Sequence, residues 1–276
     1  MIYDLHVHTS ASDGALSPPE LIDLAIASGI QGIAITDHDT VEGLEPAIMY
    51  KNAKALNIDV LPGIEMNTEG GEQEIHILGY FIDYYNSRLI SRLKEIKKAR
   101  YERAEKMIDK INRLGMAVSF AEVQDLAKGD LIGRPHIALA MIQNNYVASM
   151  AEAFNKYIGK GKPAYVNRYK FLPQEAIELI KTAGGIPVLA HPGLLSHKKI
   201  LFDLIKMGIE GIEVYYPQHN EDQIARFLEL STEYNLLVTG GSDYHGNSND
   251  NLRNSLGCSF ITGDLMAKIL AHQTRN

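Results

Sequence analysis

The chain has 276 residues, 45% of them hydrophobic, so it can bury one large core or two modest ones. Its net charge of -7, from 27 basic and 34 acidic side chains, argues against attraction of nucleic acid over the whole surface, although a local basic patch stays open. Its one cysteine, Cys258, excludes an internal disulfide and a zinc site built from cysteines.

A single cysteine also suits a reducing cytoplasm, where we expect the protein to lie. No apolar run approaches the about 20 residues of a membrane span, and no basic region followed by an apolar one opens the chain. We therefore expect neither a membrane segment nor a signal peptide. The sequence leaves the oligomeric state open.

The first third of the chain alternates between predicted strands and helices. The segment Ser17-Pro18-Pro19-Glu20 is typical of a helix start, with Ser17 as N-cap and Glu20 as its capping-box partner. This helix ends near Gly29, and the apolar segment 32–36 that follows is typical of a strand buried on both faces of a parallel sheet. The other elements predicted here are strands over 2–7, 58–65 and 74–82 and a helix over 41–56.

The middle of the chain differs from both ends. From Ser87 to about Lys160 the pattern is helical and strongly charged, without a convincing strand. Alternation then returns, which predicts a parallel sheet or barrel interrupted by an inserted subdomain. We predict that residues 1–86 and 166–276 form this sheet or barrel domain and that residues 87–165 form a helical insert. The elements predicted after the insert are helices over 173–183, 198–207 and 220–232 and strands over 186–190, 209–214 and 236–239.

Histidines and carboxylates follow the predicted strands. His6 and His8 end the first strand, where alternate residues share a face, so both imidazoles can aim at one point. In folds that alternate strands and helices, active sites lie at the carboxyl ends of the strands. Six imidazoles and three carboxylates there suit Zn²⁺, Mn²⁺ or Fe²⁺ and are enough for two or three ions. The nine predicted metal ligands are His6, His8, Asp13, His38, Glu65, His76, His191, Asp243 and His245.

Other polar residues near these strand ends are predicted to support the cluster. Asp39, with Glu42 three residues later, is typical of a helix N-cap, which is the role we expect for it. Asp37 either orients a ligand or lies on a surface loop. Asp4 is predicted to be buried and hydrogen-bonded to a ligand histidine, and His219 to lie at a helix cap or on the rim of the site.

Taken together, the motifs resemble the PHP (polymerase and histidinol phosphatase) family over nearly the whole chain. They follow the family's order: Asp4-Leu5-His6-Val7-His8-Thr9 with Ser12-Asp13-Gly14, Thr36-Asp37-His38, Gly63-Ile64-Glu65, Ala190-His191-Pro192 and Ser242-Asp243-Tyr244-His245. The resemblance implies an α/β fold, a distorted (β/α)₇ barrel with a helical insertion, and two or three divalent ions at the strand ends. It also implies a phosphoesterase.

One branch of the family is most similar, because the chain has a helical insert with a Gly133-Arg134-Pro135-His136 element. It resembles the 3′,5′-nucleotide bisphosphate phosphatases, some of which also trim short RNAs from the 5′ end. The resemblance implies three ligand groups: His6, His8, Glu65 and Asp243; Glu65, His76 and His191; and Asp13, His38 and His245.

The start of the insert is basic. Residues 86–115 hold ten lysines and arginines against four acids, a net charge of +6 in a chain of net -7. Arg100 and Arg103 are three positions apart and share a helix face, and the planar guanidinium suits phosphate. We predict that Arg100 and Arg103, joined by Arg134 and His136, bind a second phosphate of the substrate.

The predicted reaction is hydrolysis of a phosphate monoester on a small phosphorylated substrate, a nucleotide or a short RNA. Bound ions would lower the pKa of a water to about 7 and supply hydroxide, and Mn²⁺ is the first ion to try. Three alternatives stay open. They are a histidinol-phosphate phosphatase, a metal-dependent amidohydrolase, which usually needs a lysine at a strand end that this chain lacks, and a metal-binding module without activity of its own.

Overall fold

Eight strands form one sheet in the computed structural model, which describes residues 1–71, 73–127, 131–197, 200–246 and 255–275. Their order across the sheet is β7-β6-β5-β4-β3-β2-β1-β8. The strands are β1 (Ile2–Val7), β2 (Gly32–Ile35), β3 (Asp59–Gly70), β4 (Gln73–Tyr80), β5 (Ile186–Leu189), β6 (Gly211–Tyr215), β7 (Leu237–Gly240) and β8 (Ile261–Thr262).

The sheet curls towards a closed barrel. Residues just after β7 bond to β1: the Asp243 N–H donates to the His6 carbonyl at 2.8 Å, and the His8 N–H donates to the Tyr244 carbonyl at 2.9 Å. The predicted α/β barrel is therefore confirmed. The described part of the chain adds β8 to the seven strands that the resemblance implied, since this two-residue strand is too short to leave a periodic pattern.

Two of the described strands run against the parallel pattern: β4, and β8, which pairs antiparallel with β1. β4 is antiparallel to both β3 and β5, whereas β1–β2–β3 and β5–β6–β7 pair in parallel. The connection from β3 to β4 is too short for the crossover of a dozen or more residues that a parallel pair needs, so the chain must reverse as a hairpin. Pairing in this hairpin also extends β3 beyond its predicted end at residue 65 to Gly70.

Helices cover the outside of the sheet and form the insert. The predicted start of the first helix is confirmed, because the Ser17 N–H donates to the Glu20 carboxylate at 2.8 Å. The first two residues of the helix predicted over 198–207 lie outside the described residues. The helices are α1 (Pro18–Ala27), α2 (Leu44–Ala53), α3 (Ser87–Arg113), α4 (Phe120–Leu126), α5 (Arg134–Gln143), α6 (Met150–Ala153), α7 (Pro173–Thr182), α8 (Ile200–Met207), α9 (Glu221–Glu233) and α10 (Gly263–Gln273), with a π-helical turn at Phe154–Ile158.

The insert has an apolar core of its own. Side chains such as Met107, Ile111 and Met141 pack in a cluster separate from those around the sheet. The first turns of α3, through residues such as Leu93, pack instead with the outer layer of the sheet. α3 therefore connects the two cores and carries the insert across the mouth of the barrel, while the boundaries 87–165 stay a prediction.

Among the described residues, no helix combines the length and the apolarity that crossing a bilayer requires.

Candidate metal centre

The two histidines at the end of β1 are fully buried and converge. The ring centroids of His6 and His8 lie 5.2 Å apart. His6 Nε2 lies 3.1 Å and His8 Nε2 3.2 Å from the same Glu65 oxygen. The strand alternation read from the sequence therefore brings both rings to one side, facing a carboxylate of β3.

Glu65 is the centre of the cluster. Its Oε2 lies 2.9 Å from His38 Nδ1 as well as near the two β1 histidines. Its Oε1 lies 2.8 Å from His76 Nδ1 and 3.2 Å from His191 Nε2. A single buried carboxylate thus contacts five imidazoles and is the common neighbour of these ligand candidates.

The remaining ligand candidates lie beside His8. Asp243 Oδ1 is 3.1 Å from His8 Nε2, and Asp13 Oδ1 is 3.3 Å from His245 Nε2. The His8 and His245 rings stack with centroids 4.2 Å apart. His38 Nε2 completes this side, 3.8 Å from Asp13 Oδ2.

Three sets of these side chains have ligand atoms within 4.8 Å of one another. They correspond closely to the groups that the resemblance implied, with two differences: His8 also joins the third group, and His38 rather than His191 completes the second. His191 stays in contact with Glu65. The sets are His6, His8, Glu65 and Asp243; His38, Glu65 and His76; and His8, Asp13, His38 and His245.

The donor set fits divalent cations. Both ring nitrogens of His8, Nδ1 of His38 and Oδ1 of Asp13 are buried without a hydrogen-bond partner, although other ligand atoms lie close by. Buried polar atoms are almost always paired, so atoms that crowd around common points without bonding one another indicate a shared cation. Imidazole and carboxylate are the ligands that Zn²⁺, Mn²⁺ and Fe²⁺ accept.

Charge coupling within the cluster is strong. Burial opposes ionisation of Glu65, but the neighbouring His38, His6 and His76 hold its pKa well below the usual range. Burial also opposes a charged His245, yet Asp13 raises the pKa of that imidazole to about 10. Protonated imidazoles such as His245 therefore balance the ionised carboxylates when no cation is bound, and a metal ion must displace those protons.

Two acidic residues organise the loops around the cluster. Asp37 accepts hydrogen bonds from the Thr9 N–H and hydroxyl, both at 2.7 Å, and from the Ser12 hydroxyl at 2.6 Å, which orders the loop that carries Asp13. Of the two roles open for Asp37, the supporting one is therefore correct. Asp4 is buried as predicted, but it accepts from the backbone N–H of His6 and not from the ring.

Two predictions about nearby residues are wrong. Asp39 does not cap α2, which begins at Leu44 after Gly43; it lies in the left-handed region with φ 49° and bonds Asn67 and Arg100. His219 is buried rather than on a rim or a cap: its Nδ1–H donates to the Val214 carbonyl at 2.8 Å, and its Nε2 accepts from the Gly193 N–H at 3.0 Å. Long-range partners outweigh the local patterns in both cases.

A small cavity of about 120 Å³ opens between the metal cluster and the insert. His38, His76 and Asp13 form its floor, and the insert supplies the opposite wall. All four residues predicted to bind substrate line it, together with a fourth arginine: Arg100, Arg103, Arg134, His136 and Arg168.

The arginines of this cavity are only partly neutralised. Arg134 donates to Glu74 at 2.7 Å, and Arg100 donates to Asp39 through Nε at 3.0 Å. Nη2 of Arg103 and Nη1 of Arg168 are buried without a partner. Burial and the neighbouring arginines lower the pKa of Arg103 to about 10, which still leaves it charged at neutral pH. The cavity is thus suited to an anion.

Sequence reasoning missed two residues of the site. Arg168 lies just outside the insert in an irregular segment with no recognisable pattern. Glu213 is fully buried in β6, bonded to His6 and to His191. The sequence did contain a signal for Glu213, because it is the single charged residue of the otherwise apolar strand Gly211–Tyr215. A buried acid almost always has a specific partner.

Comparisons with known proteins agree with this geometry. The family model of the PHP domain matches residues 4–181. A 5′-3′ exoribonuclease from Haemophilus influenzae is 34% identical over 248 residues, which cover 88% of this chain and 89% of the relative. A 3′,5′-nucleoside bisphosphate phosphatase from Chromobacterium violaceum is 34% identical over 248 residues, 88% of this chain and 86% of the relative.

A solved structure from Bifidobacterium adolescentis, described as a metal-dependent phosphoesterase, has the same fold. It superposes with a TM-score of 0.88 at 29% sequence identity, over 98% of this chain and 95% of that one.

Proposed function

The chain belongs to the PHP domain family, and we propose that it is a metal-dependent phosphoesterase that removes the 3′-phosphate from nucleoside 3′,5′-bisphosphates. The observation that carries this proposal is the position of unpartnered arginine N–H groups in the same cavity as the histidine and carboxylate cluster. A substrate with two phosphates would use both features at once. The similar phosphatase from Chromobacterium violaceum supports this choice of substrate.

The nine predicted ligands would hold two or three divalent ions, with Mn²⁺, Fe²⁺ or Zn²⁺ as candidates. Such ions act as Lewis acids on a phosphoryl oxygen and provide a hydroxide nucleophile near neutral pH. Among the chain's own groups, Glu65 would contribute to two of the ligand groups, and Asp13, His38 and His76 would hold ions at the floor of the cavity, where the reacting phosphate would bind.

Arginines would hold the other phosphate. The Arg103 Nε–H donates to the Val166 carbonyl at 2.8 Å, which orients the guanidinium and directs Nη2 elsewhere. Arg168 adds a second unpartnered donor, and Arg134 and Arg100 add two further cations, against the carboxylates of Glu74 and Asp39. Arginine hydrogen bonds to phosphate are charge-assisted and therefore strong. This set would select substrates with a second dianion near the scissile ester.

The size of the cavity bears on how a nucleotide would lie. Its volume of about 120 Å³ is well below the about 300–1,000 Å³ of sites that enclose a drug-sized ligand. We infer that the phosphates enter and that the base lies outside, so the site would tolerate different bases.

A short 5′-phosphorylated RNA is a second candidate substrate. The similar exoribonuclease from Haemophilus influenzae favours it, and an open cavity would let the rest of the strand extend away from the site. We propose a cytoplasmic location because the chain has only one cysteine.

Phosphate release from adenosine 3′,5′-bisphosphate and histidinol phosphate, and mononucleotide release from a short 5′-phosphorylated RNA, compared at equal concentrations with Mn²⁺, test the proposal. We expect the bisphosphate to be the best substrate and chelation to abolish turnover. The exposed His197→Ala variant is the matched control for His38→Ala, which should be inactive. Preference for histidinol phosphate would refute the proposed substrate, and turnover that survives thorough chelation would refute the metal dependence.

A further inference from the structure

One fully buried carboxylate beside the metal cluster is not part of any ligand group. Glu213 lies in β6, and its side chain has no exposed surface. Its Oε1 is 2.9 Å from Nδ1 of His6, and its Oε2 is 2.7 Å from the backbone nitrogen of His191. It therefore contacts two of the predicted ligands on the side that faces away from the other ligands.

We propose that Glu213 is a positioning residue that sets the tautomer of His6 and the backbone conformation of His191, and so aligns both for metal binding. The inference rests on the proposed metal-dependent function. It adds a residue that belongs to no ligand motif in the sequence.

The effect on His6 follows from the chemistry of the pair. An ionised carboxylate only accepts hydrogen bonds, so Nδ1 of His6 must carry the hydrogen that Oε1 receives. Nε2 then keeps its lone pair, and it faces Glu65 at 3.1 Å and Asp243 at 3.3 Å. A histidine that binds a metal through one nitrogen commonly donates from the other to a carboxylate, which fixes the ring and raises its basicity.

The effect on His191 is on the main chain. Its φ of 30° and ψ of 58° lie in the left-handed region, which is strained for a residue with a Cβ atom. The N–H donated to Glu213 helps to hold this conformation, and His219 holds the following turn through Gly193. His191 Nε2 is thereby directed at Glu65, 3.2 Å away.

An amide cannot replace this carboxylate. Glu213 accepts two hydrogen bonds from two fixed donors, one on each oxygen. Glutamine offers one oxygen and one NH₂ group. If the oxygen accepts from His191, the NH₂ group faces Nδ1 of His6 and favours the tautomer with the hydrogen on Nε2, which leaves no lone pair on Nε2 for a metal ion.

The test compares Glu213→Gln with wild type, with Glu210→Gln as matched control. Glu210 lies just before β6 and pairs with Lys181 and His272, away from the cluster. Zinc affinity is measured by chelator competition, and the tautomer of His6 by ¹⁵N NMR of histidine-labelled protein. We expect Glu213→Gln to weaken zinc binding by about 10- to 100-fold and to shift His6 towards the Nε2–H form, with no change in the control.

If Glu213→Gln binds zinc as tightly as the wild type and His6 keeps its wild-type tautomer, the inference is overturned. If that variant does not fold, the wild-type spectrum decides, because an Nε2–H tautomer of His6 in the zinc-bound protein also overturns it. Neither readout depends on turnover. Failure of the wild type to hydrolyse a bisphosphate would therefore refute the proposed substrate and leave this inference intact, whereas a wild type that binds no zinc would refute both.

Discussion

Replacing Arg103 by methionine should separate substrates with one phosphate from those with two. The change removes the charge and the donors of the guanidinium and keeps an unbranched apolar stem of similar length. Arg103 lines the cavity with an unpartnered Nη2, so an anion bound there would gain a charge-assisted hydrogen bond from it.

The magnitude follows from that single contact. A hydrogen bond to a charged group contributes about 1.5–3 kcal/mol, and each 1.4 kcal/mol is about a factor of ten. KM for adenosine 3′,5′-bisphosphate should therefore rise by about 10- to 150-fold. KM for adenosine 3′-monophosphate should change far less, because this substrate has no second phosphate to accept a hydrogen bond from Arg103.

Steady-state phosphate release with both substrates measures the effect. Arg113→Met, an exposed position near the end of the same helix, is the matched control and should leave both KM values unchanged. A loss that is equal for the two substrates would refute the reasoning, because Arg103 would then support the fold of the insert or bind the reacting phosphate itself.

Three further outcomes are expected. The double variant His6→Ala/His8→Ala should lose one metal equivalent per chain in elemental analysis, and unchanged metal content would contradict their assignment to one ion. Zinc affinity should strengthen from pH 6 to pH 8, with proton release on binding. The reason is that Asp13 raises the pKa of His245 to about 10, so the metal must displace that proton. A zinc affinity that does not change over this pH range would contradict the coupling. Tyr80→Phe should lower the free energy of unfolding in urea by about 1 kcal/mol, since its buried hydroxyl donates to the Leu5 carbonyl at 2.9 Å, and a neutral effect would mean that the bond adds nothing.

The sequence was sufficient to predict that the ligand candidates meet, because their placement depends on short-range rules. Alternation along β1 puts His6 and His8 on one side, and parallel strands bring their carboxyl ends together, so Glu65 could be expected near both. The same rules predicted the insert and a parallel sheet or barrel, and the family resemblance implied the barrel. They could not predict the hairpin direction of β4, which depends on where the chain turns after β3.

Local sequence patterns gave a wrong prediction for two residues that bond a partner distant in the sequence. Asp39 and Glu42 have the spacing of a capping box, but Asp39 instead pairs with Arg100 of α3, a contact between residues 61 positions apart. His219 likewise precedes a helix, yet it bonds the turn after β5.

The sequence by itself determined which candidate ligands the chain has, their order and the alternation of strands and helices, since these depend on composition and on the periods of helix and strand. Only the tertiary structure decided which other side chains contact the candidate ligands and which line the cavity beside them. Glu213 bonds His6 across 207 positions, and Arg168 joins Arg103 only because the insert folds back over the barrel. Such pairings depend on long-range packing, and no local spacing encodes them.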